Sequence, residues 1–425
     1  MAPTFCKRCK DEGCGLSDEL AEPDSSPERL LERYDLKSKI NRFHSPIVRQ
    51  LPPDVMSTIF EFCLTYFADH QFSSILSFAK EDLSIPLPLG AICSYWREIA
   101  WSTPTLWSSL VVRVSSKHDP QMINSITQEW LARSGQLPLS ICILSTSTRD
   151  DQIQALTNII NQYASRWSNL DLYIYRYHLK YFHATGSAPI LKSVRLHGVL
   201  GLFKLDFPLT CPRLERVNLT NLNVNGNNIS WDSLTHLTLL YSSIQGHDVI
   251  QWSNLTHLSI ICSMTISEIF RILRKTPRLV FCRISRFGPE VYEEHIGAPV
   301  LTLASLRSLR LITSHAEDVL NYLIAPHLEE LSLPKYYYQL MDISMEVIAS
   351  FLKRSAIHGS LRVLQVELER QPTTRIIPKN GISYVSSLVE QGAIVSVLTE
   401  WDDITLFTNS LNTGIWAVIV YQFII

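Results

Sequence analysis

The sequence lacks the short motifs that mark the common enzyme classes. Its 425 residues contain no Gly-x-Ser-x-Gly, no His-Glu-x-x-His, no phosphate-binding Walker loop and no dinucleotide glycine fingerprint. Only 15 glycines are present, few for a backbone that approaches a phosphate closely. The sequence therefore predicts a non-catalytic protein without a cofactor.

Concentrated charge is also missing. Lys and Arg number 38 against 40 Asp and Glu, the net charge is −2, and no run of five basic residues occurs. Nucleic-acid-binding chains usually cluster their positive charge. We therefore do not expect nucleic acid as a partner. The apolar fraction of 46% indicates a folded chain with ample material for a core.

No apolar run is long enough to span a membrane. The most apolar stretch, residues 414–425, has 12 residues, whereas a spanning helix needs about 20. We expect residues 401–425 to form a buried cap, with a membrane-touching tail as the alternative. The first residues lack the apolar core of a secretory signal. Together with nine cysteines that suit a reducing compartment, this predicts a cytoplasmic or nuclear location.

The first 45 residues predict little packed structure. Residues 1–24 are polar and are predicted to be a disordered tail. Cys6 and Cys9 have metal-ligand spacing, but no second such pair follows, so no metal site is predicted. Ser25 and Glu28 can form a capping box that starts a helix over 25–45, which we expect to pack on the segment that follows it.

Residues 46–110 carry the most distinctive local pattern. Leu51-Pro52-Pro53-Asp54 precedes a helix with two neighbouring apolar stripes, Val55, Ile59 and Phe62 on one and Met56, Phe60, Cys63 and Phe67 on the other. A short helix that is apolar on two sides needs two packing partners. The pattern over Pro88–Ala100 predicts a second amphipathic helix, one that offers Trp96 to the first. The other partner of the first helix can be a separate protein.

These residues resemble the F-box. Leu-Pro-Pro-Asp before an apolar helix, followed by Ile-Cys-x-x-Trp-Arg-x-Ile-Ala and Leu-Trp, is similar to F-box proteins of mushroom-forming fungi that carry leucine-rich repeats. The resemblance implies an all-helical domain that docks to the Skp-type subunit of a cullin–RING (SCF-type) ubiquitin ligase. The implied adaptor-binding residues are Leu51, Pro52, Val55, Ile59, Phe60, Cys93, Trp96, Leu106 and Trp107. The insertion at 69–86 departs from the family pattern.

A repeat of about 20–29 residues fills the chain from 111 to 400. The pattern Leu-x-x-Leu-x-Leu, with apolar substitutes, begins at Trp167, Leu191, Leu214, Leu234, Leu255, Leu279, Leu306, Leu328 and Leu361. All but the last spacing fall in the range of leucine-rich repeats. Strand–helix alternation over 110–166 has the same rhythm. The predicted fold is therefore α/β, an all-helical domain followed by an irregular leucine-rich-repeat solenoid with a curved parallel sheet.

Side-chain alternation predicts which residues of each strand face outward. The leucines point into the core, and the two residues between them line the concave face. The predicted substrate-binding residues on that face are Arg195, Arg216, His236, His257, Phe281, Arg283 and Arg310. Four arginines and two histidines suit an acidic or phosphorylated protein segment, although charged residues also occupy ordinary solvated faces. The equivalent positions of His236 and His257 lack further metal ligands.

These observations favour one function and leave others open. The first hypothesis is a substrate-recognition adaptor of a ubiquitin ligase, which supplies proximity while other subunits catalyse. A second is a scaffold that binds the Skp-type adaptor without entering a ligase. A third is a membrane-associated protein anchored by the apolar tail. The sequence does not identify the substrate.

Overall fold

A computed structural model describes most of the central part of the chain. The described residues are 51–70, 86–182, 188–199, 211–222, 224–225, 232–242, 244–245, 250–262, 264–285, 300–313, 316–334, 343–357, 360–368 and 394–399. They fall into two compact units, an N-terminal unit up to Leu214 and a C-terminal unit from Glu215 onward. The predictions for 1–24, 25–45 and 401–425, and for nearly all of the 69–86 insertion, concern residues outside these ranges.

Three helices and a turn open the N-terminal unit. They are α1 (Pro53–His70), α2 (Pro86–Ile92), α3 (Ser94–Ser102) and a 3₁₀ turn (Pro104–Trp107). The single helix predicted over Pro88–Ala100 is wrong, because Cys93 is extended, with φ −160° and ψ 170°. Pro88 and Gly90 are poor helix formers, yet both lie inside α2. Gly90 also lies so close to Trp101 that an added Cβ would be 2.1 Å from its ring.

Aromatic side chains join these helices to the segment that follows. The indole Nε1 of Trp107 donates to the Ala100 carbonyl at 2.7 Å, and its ring packs edge-on against Trp130 at a centroid distance of 4.8 Å. The Arg133 guanidinium lies over the rings of Trp101 and Trp107, at 5.1 and 4.9 Å. Residues 86–107 therefore share one core with the first strand–helix segment of this unit.

Parallel strands alternate with helices in the rest of the N-terminal unit. The elements are β1 (Ser109–Val114), α4 (Pro120–Arg133), β2 (Leu139–Ser145), α5 (Asp150–Asn161), β3 (Trp167–Tyr175) and β4 (Ser193–Val199). Each strand pairs in parallel with the next. Gly135 follows α4 with φ +59°, the left-handed conformation that ends many helices and favours glycine. The strand–helix rhythm predicted for 110–166 is present.

Eight parallel strands form the sheet described in the C-terminal unit. In spatial order they are β5 (Arg216–Thr220), β7 (His236–Leu240), β9 (His257–Ile261), β10 (Phe281–Ser285), β12 (Ser308–Ile312), β14 (Glu330–Leu333), β15 (Val363–Leu368) and β16 (Ile394–Thr399). Two small parallel pairs join β6 (Val224–Asn225) to β8 (Ile244–Gln245) and β11 (Leu301–Thr302) to β13 (Leu323–Ile324). The connecting helices are α6 (Ile266–Arg274), α7 (Ala316–Asn321) and α8 (Met345–Arg354).

The motif leucines build the core of this sheet. Leu234, Leu237 and Leu239 are almost fully buried, and the equivalent positions of the neighbouring repeats are buried as well. Equivalent residues of consecutive repeats face each other, as in the pairing of His236 with His257. This register confirms the predicted leucine-rich-repeat arrangement with a parallel sheet. The helices vary in length from 6 to 10 residues, as an irregular array requires.

No helix within the described ranges combines the length and the apolar character needed to cross a bilayer.

The predicted final strand after residue 393 is present as β16.

Candidate recognition surfaces

The two apolar stripes of α1 have different environments. Val55 and Ile59 are 40% and 42% exposed, and Phe62 on the same stripe is exposed as well. Met56 and Phe60 of the other stripe are 1% exposed. The Phe60 ring packs against Trp96 of α3 at a centroid distance of 5.0 Å. One stripe therefore fixes α1 on the helical core, and the other presents apolar side chains at the surface.

The chain enters α1 beside the exposed stripe. Leu51 is half-buried, and its carbonyl accepts a hydrogen bond from the Tyr95 hydroxyl at 3.3 Å. Pro52 is exposed, and its carbonyl accepts from the Met56 amide at 3.1 Å in the first helical turn. Leu51, Pro52, Val55 and Ile59 of the predicted adaptor-binding residues therefore lie together at the start of one helix. We call these four residues the α1 surface.

Four of the remaining predicted adaptor-binding residues lie in the interior. Phe60, Cys93, Leu106 and Trp107 are buried, and Trp96 is half-buried behind Phe60. A buried side chain cannot contact a partner unless the unit opens. We therefore correct the assignment of the four buried residues: they support the α1 surface and do not form it, whereas the half-buried Trp96 stays a predicted contact residue. The cause is that an apolar stripe looks the same in a sequence whether its own chain or a partner covers it.

The residues that alternate with the motif leucines form two columns along the strands of the C-terminal unit, and all of them except the buried Ser332 are exposed or half-buried. The first column runs through Arg216, His236, His257, Phe281, Ser308, Glu330 and Val363. The second runs through Asn218, Thr238, Ser259, Arg283, Arg310, Ser332 and Gln365. We call the two columns the strand face. The structure brings together six of the seven predicted substrate-binding residues on it.

The seventh, Arg195, belongs to the N-terminal unit. It lies opposite Asp171 of the neighbouring strand and forms an ion pair with it at 3.0 Å, with side chains 26% and 27% exposed respectively. Burial raises the pKa of Asp171 above its usual value even though Arg195 opposes that shift. Arg195 therefore has an internal counter-ion. Its spacing from Asp171 equals the first repeat spacing of 24 residues, a signal that could have revealed the pair.

Positive charge on the strand face is not balanced in this way. Among the described residues, Arg216, Arg283 and Arg310 make no ion pair. Arg283 and Arg310 face each other on adjacent strands, and burial together with the charge of Arg310 lowers the pKa of Arg283. The Nε of Arg283 is buried and has no hydrogen-bond acceptor there. Like charges that face each other across a sheet are destabilising, and a bound anion would relieve that repulsion.

The one acid of the two columns has a hydrogen-bond partner on the same face. Glu330 accepts a hydrogen bond from the Ser308 hydroxyl of the same column at 2.9 Å. Three arginines against one glutamate leave the strand face with a surplus of positive charge, and the same face carries the aromatic ring of Phe281.

His236 and His257 form a stacked pair. Their rings are 4.0 Å apart at an interplanar angle of 9°, and the Phe281 ring lies 5.9 Å beyond His257. The Thr235 hydroxyl lies 2.8 Å from Nδ1 of His236, and the Thr256 hydroxyl lies 2.9 Å from Nδ1 of His257. Sequence reasoning missed these threonines, although the repeated Thr-His dipeptide is a visible signal for them.

The geometry of the pair does not suit a metal ion. Because the rings are parallel and bonded alike through Nδ1, both Nε2 atoms point in the same direction and do not converge on one ion. No cluster of three or more His, Cys, Asp or Glu side chains that could hold a metal occurs in the described ranges.

Buried thiols offer no ready nucleophile. Burial raises the pKa of Cys142, Cys262 and Cys282 to about 12 and that of Cys211 to about 11. These thiols are therefore protonated at neutral pH, and the thiolate is the reactive form.

Comparison with known proteins adds little. No protein-family model matches the chain, and no curated protein matches it either. Among solved structures, the chain is similar to an internalin from Listeria monocytogenes, with a TM-score of 0.32 and 13% sequence identity over 81% of this chain and 91% of that one. A TM-score of that size carries no weight, so the assignment of the repeat fold rests on the strand register.

Proposed function

We propose that this chain is the substrate-recognition subunit of an SCF-type cullin–RING ubiquitin ligase and has no catalytic activity of its own. In this proposal the α1 surface docks to a Skp-type adaptor subunit, and the strand face binds an acidic or phosphorylated segment of a protein substrate. The observation that carries it is the division of α1: Val55, Ile59 and Phe62, beside Leu51-Pro52 where the sequence resembles an F-box, are exposed, while Met56 and Phe60 of the other stripe are buried.

The exposed stripe offers apolar surface that a partner can cover. Aliphatic side chains that are 40% or more exposed gain free energy when a partner covers them, at about 25 cal/mol per Å² of apolar surface. The buried stripe and Trp96 hold the helix in place before the partner arrives, so little ordering cost is added on binding. Both features support docking of a folded partner at this position.

The strand face supports capture of an anionic segment. Arginine forks bind carboxylate and phosphate groups in two-point contacts. Three arginines that have no acidic partner in the described part of the chain, on strands whose side chains stand in register, suit an extended segment that carries several negative charges. Nucleic acid and membranes are not part of this proposal, and the cytoplasm or nucleus is the compartment it implies.

Affinity purification of the chain from cells tests the docking step. We expect the Skp-type subunit and a cullin to co-purify with the wild-type chain, and V55S/I59S to remove both. Each lost apolar anchor costs about 2 kcal/mol or more, a loss of about 30-fold. The control is M122S/I126S, because Met122 and Ile126 are exposed apolar residues at the same spacing on α4 of the same unit.

Two results would change the proposal. Co-purification that survives V55S/I59S places the adaptor contact elsewhere. A Skp-type subunit without any cullin favours the alternative function, a scaffold that binds the adaptor outside a ligase.

A further inference from the structure

The hydrogen bonds of the stacked His236–His257 pair determine which ring nitrogen is available to a ligand. The Thr235 hydroxyl lies 3.1 Å from the Glu215 carbonyl, and the Thr256 hydroxyl lies 3.2 Å from the Thr235 carbonyl. A hydroxyl has one proton to donate. If each threonine donates to its carbonyl, it accepts from Nδ1–H of the histidine, and all three groups are satisfied. Nε2 then carries the lone pair and has no partner among the described residues.

This arrangement can take up a proton without rearrangement. Protonation at Nε2 leaves the contacts through Nδ1 unchanged, since Nδ1 is already the donor. The new N–H points away from the threonine and is available to an oxyanion. A protonated ring at this position therefore donates outward from the strand face while its inner edge stays bonded to its own repeat.

Without a ligand the surroundings of the pair disfavour the charged rings. Burial lowers the pKa of His236 below its ordinary value, and the charges of His257 and Arg216 lower it further, against a smaller opposing effect of Glu215. Burial and then Arg216 lower the pKa of His257. Phe281, the next residue of the column, brings no charge. Two imidazolium rings 4.0 Å apart would repel each other strongly, so the pair can hold one proton and resists a second.

We propose that the His236–His257 pair is a proton-linked subsite for an oxyanion, in which capture of a carboxylate-type group brings one proton from solvent onto Nε2 of the pair. That this group belongs to a protein segment rests on the proposed function; the subsite chemistry does not. An anion at the ring edge favours the charged ring, so the bound state holds its proton to higher pH than the free state. Binding and proton uptake must then strengthen each other equally.

The linkage has a definite sign. The bound pair has the higher pKa, so the added affinity is fully present at low pH and is lost as pH rises through the pKa of the bound pair. One proton taken up changes affinity by at most about tenfold per pH unit. We expect an acidic segment to bind about 3- to 10-fold more tightly at about pH 6 than at about pH 7.5.

Two measurements test this on the full chain. In the first, NMR signals of the histidine rings are followed against pH in sulfate and in chloride at matched ionic strength, with assignment by H236Q and H257Q. Sulfate remains a dianion throughout, and we expect it to raise the titration midpoints of both rings. In the second, a labelled peptide of about 12 Glu and Ser residues is titrated, because its carboxylates stay ionised above about pH 5.5.

The variants separate the subsite from the rest of the face. H236Q/H257Q should remove the pH dependence of peptide binding and keep binding at pH 7.5, since Arg216, Arg283 and Arg310 remain. H327Q is the control, because His327 is an exposed histidine of the same unit that lies outside the two columns.

Each outcome decides between the claims. Unmoved midpoints in sulfate overturn the subsite, and so does peptide binding that is equal at both pH values. Peptide binding without pH dependence leaves the proposed function standing and removes only this inference. Midpoints that move in sulfate while no peptide binds leave the subsite standing and count against capture of an acidic protein segment.

Discussion

The α1 surface and the strand face differ in the physical properties that govern binding. The α1 surface consists of apolar side chains, including a proline, on the first turns of one helix and the two residues before it, with no titratable group among its four residues. The strand face combines three arginines, two histidines and one glutamate over seven strands. One surface can gain free energy only by excluding water, and the other mainly by pairing charge.

That difference separates the two proposed binding steps experimentally. Apolar burial responds weakly to moderate salt and to pH, whereas exposed charges are screened over a Debye length of about 8–10 Å. A change on one surface should therefore leave binding at the other almost unaltered. A single substitution or change of salt that removes binding at both surfaces would contradict this separation.

Charge reversal on the strand face is expected to have the largest effect. R216E/R283E/R310E replaces three cations with anions, so an acidic peptide meets repulsion where it met attraction. We expect a loss of affinity of at least about 100-fold, because a charge-assisted hydrogen bond is worth about 1.5–3 kcal/mol. Fluorescence anisotropy with the labelled Glu and Ser peptide measures it. Adaptor binding should not change.

Arg195 provides the matched control for that variant. Its guanidinium is paired with Asp171 at 3.0 Å inside the N-terminal unit, so R195Q removes an arginine that is already neutralised. Peptide affinity should stay within about twofold of the wild type. A loss of peptide affinity as large as that of the triple variant would show that the ion pair with Asp171 does not set Arg195 apart from the arginines of the strand face.

A substitution at Gly90 is expected to weaken binding at the α1 surface, with a smaller effect than the charge reversal has on the strand face. An alanine Cβ there would lie 2.1 Å from the Trp101 ring, so α2 or α3 must shift. We expect G90A to lower the free energy of unfolding of the N-terminal unit by about 2 kcal/mol, a typical cost of overpacking. Denaturant unfolding measures it, and adaptor binding should weaken while peptide binding does not.

Ala91 offers the control for Gly90. It is exposed one position further along α2, so A91S should change stability by less than about 0.5 kcal/mol. Equal effects of G90A and A91S would mean that the close approach to Trp101 does not limit the packing of these helices.

The repeat strands could be predicted from the sequence because their signal is local and recurs. Leu234 and Leu255 begin nearly identical motifs, and the alternation within each motif predicts that His236 and His257 share a column. The Asp171–Arg195 pair follows from the same spacing once the register is known. For these elements the pattern of apolar residues and the observed structure agree.

The helical segment could be predicted less well, for identifiable reasons. Apolar spacing continues through Cys93, so the break between α2 and α3 has no periodic signal. The burial of Phe60 and Trp107 depends on residues far along the chain, such as Trp96 and Trp130. A local pattern carries no information about such partners.

Titration of the purified chain with a purified Skp-type subunit, at about 0.05 M and about 0.5 M salt, tests the central claim most directly. The account predicts saturable binding whose affinity changes less than about threefold with salt, since the α1 surface is apolar. The same preparation should lose most of its affinity for the acidic peptide at the higher salt. Absence of adaptor binding, or adaptor binding that falls with salt as steeply as peptide binding does, would contradict the account.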